Sequence, residues 1–248
     1  MGDVLPRALF ARRLLAEFLG TGLLVTVVVG SGIAAQRLSP DDVGLQLLEN
    51  SLATTLGLAV LILVLGPVSG GHFNPVVSAV AWVIGRRAGT GLRGREVASY
   101  ASVQIVGGTV GTLLASVMFD VSPAFSETHR ATGGQFVAEV VATAGLVLVI
   151  FALSRTATTA VTAAAVGAYI GAAYWFTSAT SFANPAVTIA RMFTDTFAGI
   201  APASVLPFIG AQLLGAAVGA VLLLLLYPTA PRTADRVTVP SDSDREHS

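Results

Sequence analysis

Ser69-Gly70-Gly71-His72-Phe73-Asn74-Pro75-Val76-Val77-Ser78 and, later in the chain, Ser181-Phe182-Ala183-Asn184-Pro185-Ala186-Val187-Thr188 each run into Asn-Pro and then into a short apolar stretch. Asn is a favoured N-cap. Pro is favoured at the first helical position, where its φ is preset and no donor is lost. Both segments therefore announce a helix that starts at the Asn. The apolar stretches that follow, 76–84 and 186–193, are far shorter than the ~20 residues of a membrane-spanning helix.

Everything around them is long enough to span. The chain is 54% hydrophobic and 11% charged, against about 25% charged in an ordinary soluble domain. Apolar runs lie near residues 12–34, 47–66, 97–119, 135–154, 159–179 and 202–227. An intramembrane segment too short to cross must re-enter from one side and be buried in protein, because lipid cannot satisfy its exposed backbone groups. The expected fold is an all-α membrane protein of six transmembrane helices plus two re-entrant half-helices.

The halves resemble each other. Ala16-Glu17-Phe18-Leu19-Gly20-Thr21 opens the first span and Ala138-Glu139-Val140-Val141-Ala142-Thr143 the fourth, so a carboxylate and a Thr recur at one spacing. Three spans per half make the second half enter from the opposite face, an inverted repeat. The expected organisation is an N-terminus at 1–11, a first repeat at 12–119 with its half-helix from Asn74, and a connection at 120–134. A second repeat at 135–227, with its half-helix from Asn184, and a disordered tail at 228–248 complete it.

All 14 basic residues are Arg, balanced by 14 acidic ones, and this neutral balance argues against a nucleic-acid partner. With both termini cytoplasmic, eleven Arg fall inside and only Arg37, Arg130 and Arg191 outside, as the positive-inside rule requires of an inner-membrane protein. Arg7, Arg12 and Arg13 before an apolar run imitate a secretory signal, but the run continues to Ala35 and reads as the first span. There are no cysteines and three scattered His residues, so no thiol chemistry, metal site, cofactor or catalytic constellation is expected, and the chain reads as no enzyme.

Two half-helix N-termini meeting at the midplane bring roughly half a positive charge each, with free backbone donors and two Asn amides. Such a junction, formed by Asn74, Pro75, Val76, Asn184, Pro185 and Ala186, repels protons and cations yet offers hydrogen bonds to a neutral molecule. Glu17 and Glu139 are intramembrane carboxylates. They serve either proton coupling in a transporter or, structurally, the backbone ahead of each half-helix. His72 reads as scaffold of the same kind.

On these motifs the chain resembles the major intrinsic protein family, whose signature is a pair of Asn-Pro-Ala boxes, from Glu17 to about Tyr227. The resemblance implies an hourglass fold and a homotetramer with one pore per subunit. Two departures stand out. Val76 replaces Ala in the first box, a change expected only to tune the constriction. Val187 stands where most members place a filter Arg. The remaining filter positions correspond to Thr54, Ala172 and Ser181, giving a filter without aromatic or guanidinium and therefore wide.

A wide, uncharged filter suits neutral polyhydroxylated solutes. The stretch 184–199 is similar to a bacterial subgroup associated with arsenic resistance, which points to arsenous acid, with glycerol and water as other cargoes. A glycerol and water channel without a metalloid role is the alternative, and a proton-coupled transporter a more distant one. Arg191, four residues past Val187 and on the same helix face, is read either as an outer-vestibule charge or, in preference, as a surface partner of Asp195 or lipid headgroups.

Overall fold

The structure, a computed structural model, describes residues 7–88 and 91–228. The expected tail from 229 onward lies outside the described residues. Eight α-helices follow in order: α1 (Arg7–Leu38), α2 (Val43–Ser69), α3 (Pro75–Ala88), α4 (Gly94–Met118), α5 (Gly133–Leu153), α6 (Thr159–Phe176), α7 (Pro185–Ala190) and α8 (Pro202–Leu226). A 3-10 turn, Arg191–Phe193, continues α7. Six of the helices are long and apolar enough to cross a membrane. α1 and α2 run a few residues past the apolar stretches at both ends, α4, α5 and α8 match theirs to within three residues, and α6 stops at Phe176, three residues short of the expected 179.

The faces of α2 show how the spans divide between lipid and protein. Leu52, Leu56 and Val60 recur every fourth residue and are 55%, 59% and 56% exposed, a stripe for acyl chains. Thr54, Leu58 and Ile62 occupy the opposite stripe and are buried. Spacing of four keeps each set on one face.

The repeat is visible in the packing. α1 lies along α4, α5 lies along α8, and the halves join where α2 meets α6. Small residues permit these crossings, as expected where lipid gives no hydrophobic drive for helix association. A Cβ on Gly111 would strike the Gly22 carbonyl, and one on Gly215 the Val140 carbonyl. The Thr26 hydroxyl adds a bond to the Gly111 carbonyl at 3.1 Å. The half-helices α3 and α7 sit inside this frame, α3 against α4 and α8, and α7 against α4, α8 and α1.

Candidate functional site

Each half-helix begins as its Asn-Pro dipeptide dictates. Asn184 Oδ1 accepts from the N–H groups of Ala186 (3.0 Å) and Val187 (3.3 Å), and Asn74 Oδ1 from Val76 N–H at 3.1 Å. The two Asn also tie the halves together. Asn74 Nδ2 donates to the Ala183 carbonyl and Asn184 Nδ2 to the Phe73 carbonyl, both at 2.8 Å. An amide nitrogen carries two hydrogens, so each Asn keeps one donor for the space between the helices.

The chain ahead of each Asn is held in an unusual conformation. Gly71 and Phe73 have φ of 62° and 47°, and Ser181 and Ala183 have 48° and 47°. Non-glycine residues in this left-handed region cost of order 1–2 kcal/mol each, so other contacts must hold them. A buried carboxylate does so in each half. Glu17 accepts from His72 N–H (3.0 Å), Phe73 N–H (2.7 Å), Ser69 Oγ (2.6 Å) and Gln104 Nε2 (2.7 Å). Glu139 accepts from Phe182 N–H (2.8 Å), Ala183 N–H (2.8 Å) and Gln212 Nε2 (2.7 Å). Both carboxylates are thus occupied by donors that would otherwise be unsatisfied in the membrane.

His72 belongs to the same scaffold. Its Nδ1 lies 2.9 Å from Ser78 Oγ, which in turn lies 3.1 Å from the Asn74 carbonyl. With the single hydroxyl proton given to that carbonyl, Nδ1 is the donor and Nε2 is left as an acceptor. His72 lines the central cavity.

That cavity runs past both Asn side chains. It leaves about 50 Å³ for the centres of water-sized molecules, room for only a few at ~10–15 Å³ each. The spanning helices contribute aliphatic side chains, Leu24, Val28, Leu58, Ile62, Leu146, Ile150, Val166 and Ile170, with Thr54 and Tyr174 among them. The half-helix segments contribute Gly71, His72, Asn74, Ser181, Asn184 and Arg191, together with Phe73, Val77, Phe182 and Val187. A solute therefore meets both hydrogen-bonding groups and hydrocarbon along the passage.

Thr54, Ser181 and Val187 line this cavity. Thr54 Oγ1 is 3.2 Å from Tyr174 Oη, and the Ser181 hydroxyl has no hydrogen-bond partner among the described residues. Ala172 does not line it: the residue is exposed on the outer face of α6, and Ile170 and Tyr174 take the inward positions. Residues four apart share a helix face, whereas one two positions away turns about 200° from it. Pro75 and Pro185 head their helices behind the wall. Val76 and Ala186 also face away from the cavity, Val76 into a groove between α3 and α8, so the Val in the first box leaves the width of the passage untouched.

Arg191 corrects the sequence reading most. It is 2% exposed and lines the cavity, and Asp195 instead accepts from Glu127 N–H at 3.0 Å. The helix ends at Ala190 and the tighter 3-10 turn carries the side chain inward. Nε donates to the Ala198 carbonyl, and the guanidinium lies 3.5 Å from the centroid of the Phe182 ring. Phe182 is braced edge-on by Phe208, with centroids 5.2 Å apart. The expectation of a constriction without aromatic or guanidinium therefore fails: Tyr174, Phe182 and Arg191 supply both. Arg130, in the connection 119–132, stands 5.5 Å over the same ring and donates from Nε to the Gly199 carbonyl at 2.8 Å. Burial pushes its pKa below the ordinary value, partly offset by Tyr174 and Glu139.

The sequence reading missed Tyr174, Phe182, Gln104 and Gln212. For the glutamines a signal existed: each is an amide in an apolar span, three residues before a Gly, at matching places in the two halves.

Six crossing helices around a passage where two half-helices meet define a membrane channel. The chain belongs to the major intrinsic protein family, whose model matches residues 5–183, and members of that family are channels and not enzymes. Among relatives it is similar to aquaglyceroporin AqpS of Rhizobium meliloti (strain 1021), 49% identical over 222 residues, covering 89% of this chain and 92% of that protein. The lens fiber major intrinsic protein of Gallus gallus is 33% identical over 252 residues, with 93% and 87% covered. The X-ray structure of the aquaglyceroporin from Plasmodium falciparum shares the fold, with a TM-score of 0.63 at 22% identity, over 88% of this chain and 95% of that one.

Proposed function

We propose that the protein is a passive path for small, neutral, polyhydroxylated solutes, arsenous acid and glycerol, together with water, and that it excludes protons and ions. The observation that carries this reading is the mixed lining of the cavity, in which donors from Asn74, Asn184 and Arg191 stand among aliphatic side chains. A polyol or arsenous acid trades its hydration for those donors while the rest of its surface lies against hydrocarbon. A cation finds the positive ends of two half-helices and a guanidinium, and no acidic partner in the wall.

Cargo is set at the outer constriction of Thr54, Tyr174, Ser181, Phe182, Val187 and Arg191. Val187 clears the position just past the second Asn-Pro start, and the guanidinium sits one turn further out. This spacing favours a solute with several hydroxyls over a single-file water column. The similarity of 184–199 to the arsenic-resistance subgroup, and the aquaglyceroporin name of the relative from Rhizobium meliloti, support the cargo. Both termini lie in the cytoplasm and four copies assemble, one pore in each.

Stopped-flow swelling of proteoliposomes under water, glycerol and arsenite gradients, with and without a protonophore, tests this. All three should permeate without saturation and without response to the protonophore. Glycerol and arsenite permeation no faster than in empty liposomes would reduce the function to water alone, and collapse on uncoupling would replace the channel with a transporter.

A further inference from the structure

The two half-helices are not packed alike. α7 is sealed by α4: Gly108 admits Ala190, whose Cβ lies 3.2 Å from where a Gly108 Cβ would stand, and Thr112 Oγ1 donates to the Ala190 carbonyl at 2.9 Å. Gln104 and Gln212 fix the register of the repeat, so the counterparts of Gly108 and Thr112 in α8 are Ala216 and Ala220. There a methyl stands where α4 has bare backbone, and the hydroxyl is gone. A groove of about 510 Å³ remains between α3 and α8, lined by Val76, Val80, Val83, Leu213, Ala217 and Val221 among others, all apolar.

We infer that this groove holds one acyl chain of an anionic phospholipid, whose phosphate lies against Arg86 and Arg155. Length is the first argument. Leu213 to Leu224 is twelve residues, about 16 Å over eleven helical steps of ~1.5 Å, half of the ~30 Å hydrocarbon core. The groove therefore starts beside the half-helix junction and ends at one membrane surface, the depth of a single leaflet.

Charge at its open end is the second. Arg86 stands three residues past the groove-lining Val83 and seven past Ala79, on the neighbouring face of α3, and lies 5.5 Å over the Trp82 ring. Arg155 donates to the carbonyl of Tyr227, next to the groove-lining Pro228, at 3.2 Å, and stands 5.4 Å over the Tyr227 ring. Neither forms an ion pair among the described residues, and aromatic residues at this depth mark the headgroup level. The chain beyond Pro228 does not suit the groove, since Val237 and Val239 are its only large aliphatic residues. The acyl chain completes the packing of α3, and through it the position of Asn74.

Native mass spectrometry of the purified full chain, titrated with phosphatidylglycerol or with phosphatidylcholine of the same acyl chains, tests the inference. At least fivefold tighter binding of phosphatidylglycerol is expected. Arg86→Gln and Arg155→Gln should each weaken it about fivefold, the effect of one cation at an anionic surface, and leave phosphatidylcholine unchanged. Ala217→Trp should fill the groove and weaken both lipids, and a far-UV circular dichroism spectrum matching that of the unsubstituted chain in the same preparation shows that it has folded. Equal affinity for the two lipids, or full binding by all three variants, overturns the inference. So does tighter lipid binding by a chain ending at Pro228, which makes the tail the occupant. The chain has no cysteine, so a disulfide dimer through Ala217→Cys would identify a second copy there and overturn it likewise. None of these readouts depends on which solute permeates.

Discussion

Replacing Glu139 with Gln removes one acceptor from a site where every neighbour is a donor. Suppose the amide oxygen keeps the place that accepts from Ala183 N–H and Gln212 Nε2; the new NH2 group then confronts Phe182 N–H. In the other orientation Ala183 N–H is stranded, while Gln212 can turn its unpaired Oε1 toward the new donor. Either way one buried backbone donor is lost. A hydrogen bond to a charged group contributes about 1.5–3 kcal/mol, and an unsatisfied buried donor costs a further ~1–3 kcal/mol, so the substitution should destabilise by about 2.5–6 kcal/mol. At ~2–4 °C per kcal/mol for a chain of this size, the melting temperature in detergent should fall by roughly 10 °C. Glu17→Gln should cost a similar amount, because the Ser69 hydroxyl can rotate to accept but the N–H groups of His72 and Phe73 cannot. Tryptophan fluorescence during heating, paired with solute uptake, reads the result. A melting temperature within 2 °C of wild type, together with uptake that changes its dependence on a proton gradient, would refute the structural role and restore proton coupling.

Val187→Arg places a second guanidinium one turn from Arg191 in the same wall, and should suppress glycerol and arsenite uptake at least tenfold (about 1.4 kcal/mol per decade) while water flux falls less; equal loss of all three would mean that the constriction lies elsewhere. Phe182→Leu removes the ring beneath Arg191, an interaction of ~2 kcal/mol when desolvated, and should change the glycerol-to-water permeability ratio, which swelling assays measure directly. Gly111→Val drives a branched side chain onto the Gly22 carbonyl, overpacking that costs about 1–3 kcal/mol. Gly134→Ala, with nothing within 4 Å of the new Cβ, should leave the melting temperature unchanged and serves as the control.

The fold and the junction were legible because each rests on local rules. Asn-Pro caps a helix wherever it stands, an apolar run of spanning length must be a helix in lipid, and the repeated Glu-x-x-x-Thr marks the two halves without any knowledge of contacts. The outer constriction was not legible. Ala172 came from counting along α6 without a fixed register, and a shift of two residues turns a helix face outward. Arg191 was misplaced because its neighbour in sequence, Asp195, looked like its partner. In the folded chain Asp195 is engaged by the connection before α5, and the Ala198 carbonyl and Phe182 ring receive the guanidinium.

The sequence alone thus determined that two half-helices start at Asn74 and Asn184 inside a six-span inverted repeat, since capping and hydrophobic length act within a few residues of chain. Only the tertiary structure decided which side chains wall the outer passage and where the Arg191 guanidinium points. These depend on where α7 stops, how α6 is rotated, and how the segment after the 3-10 turn folds back to bring the Ala198 carbonyl beside Arg191, and no helical spacing encodes such placements.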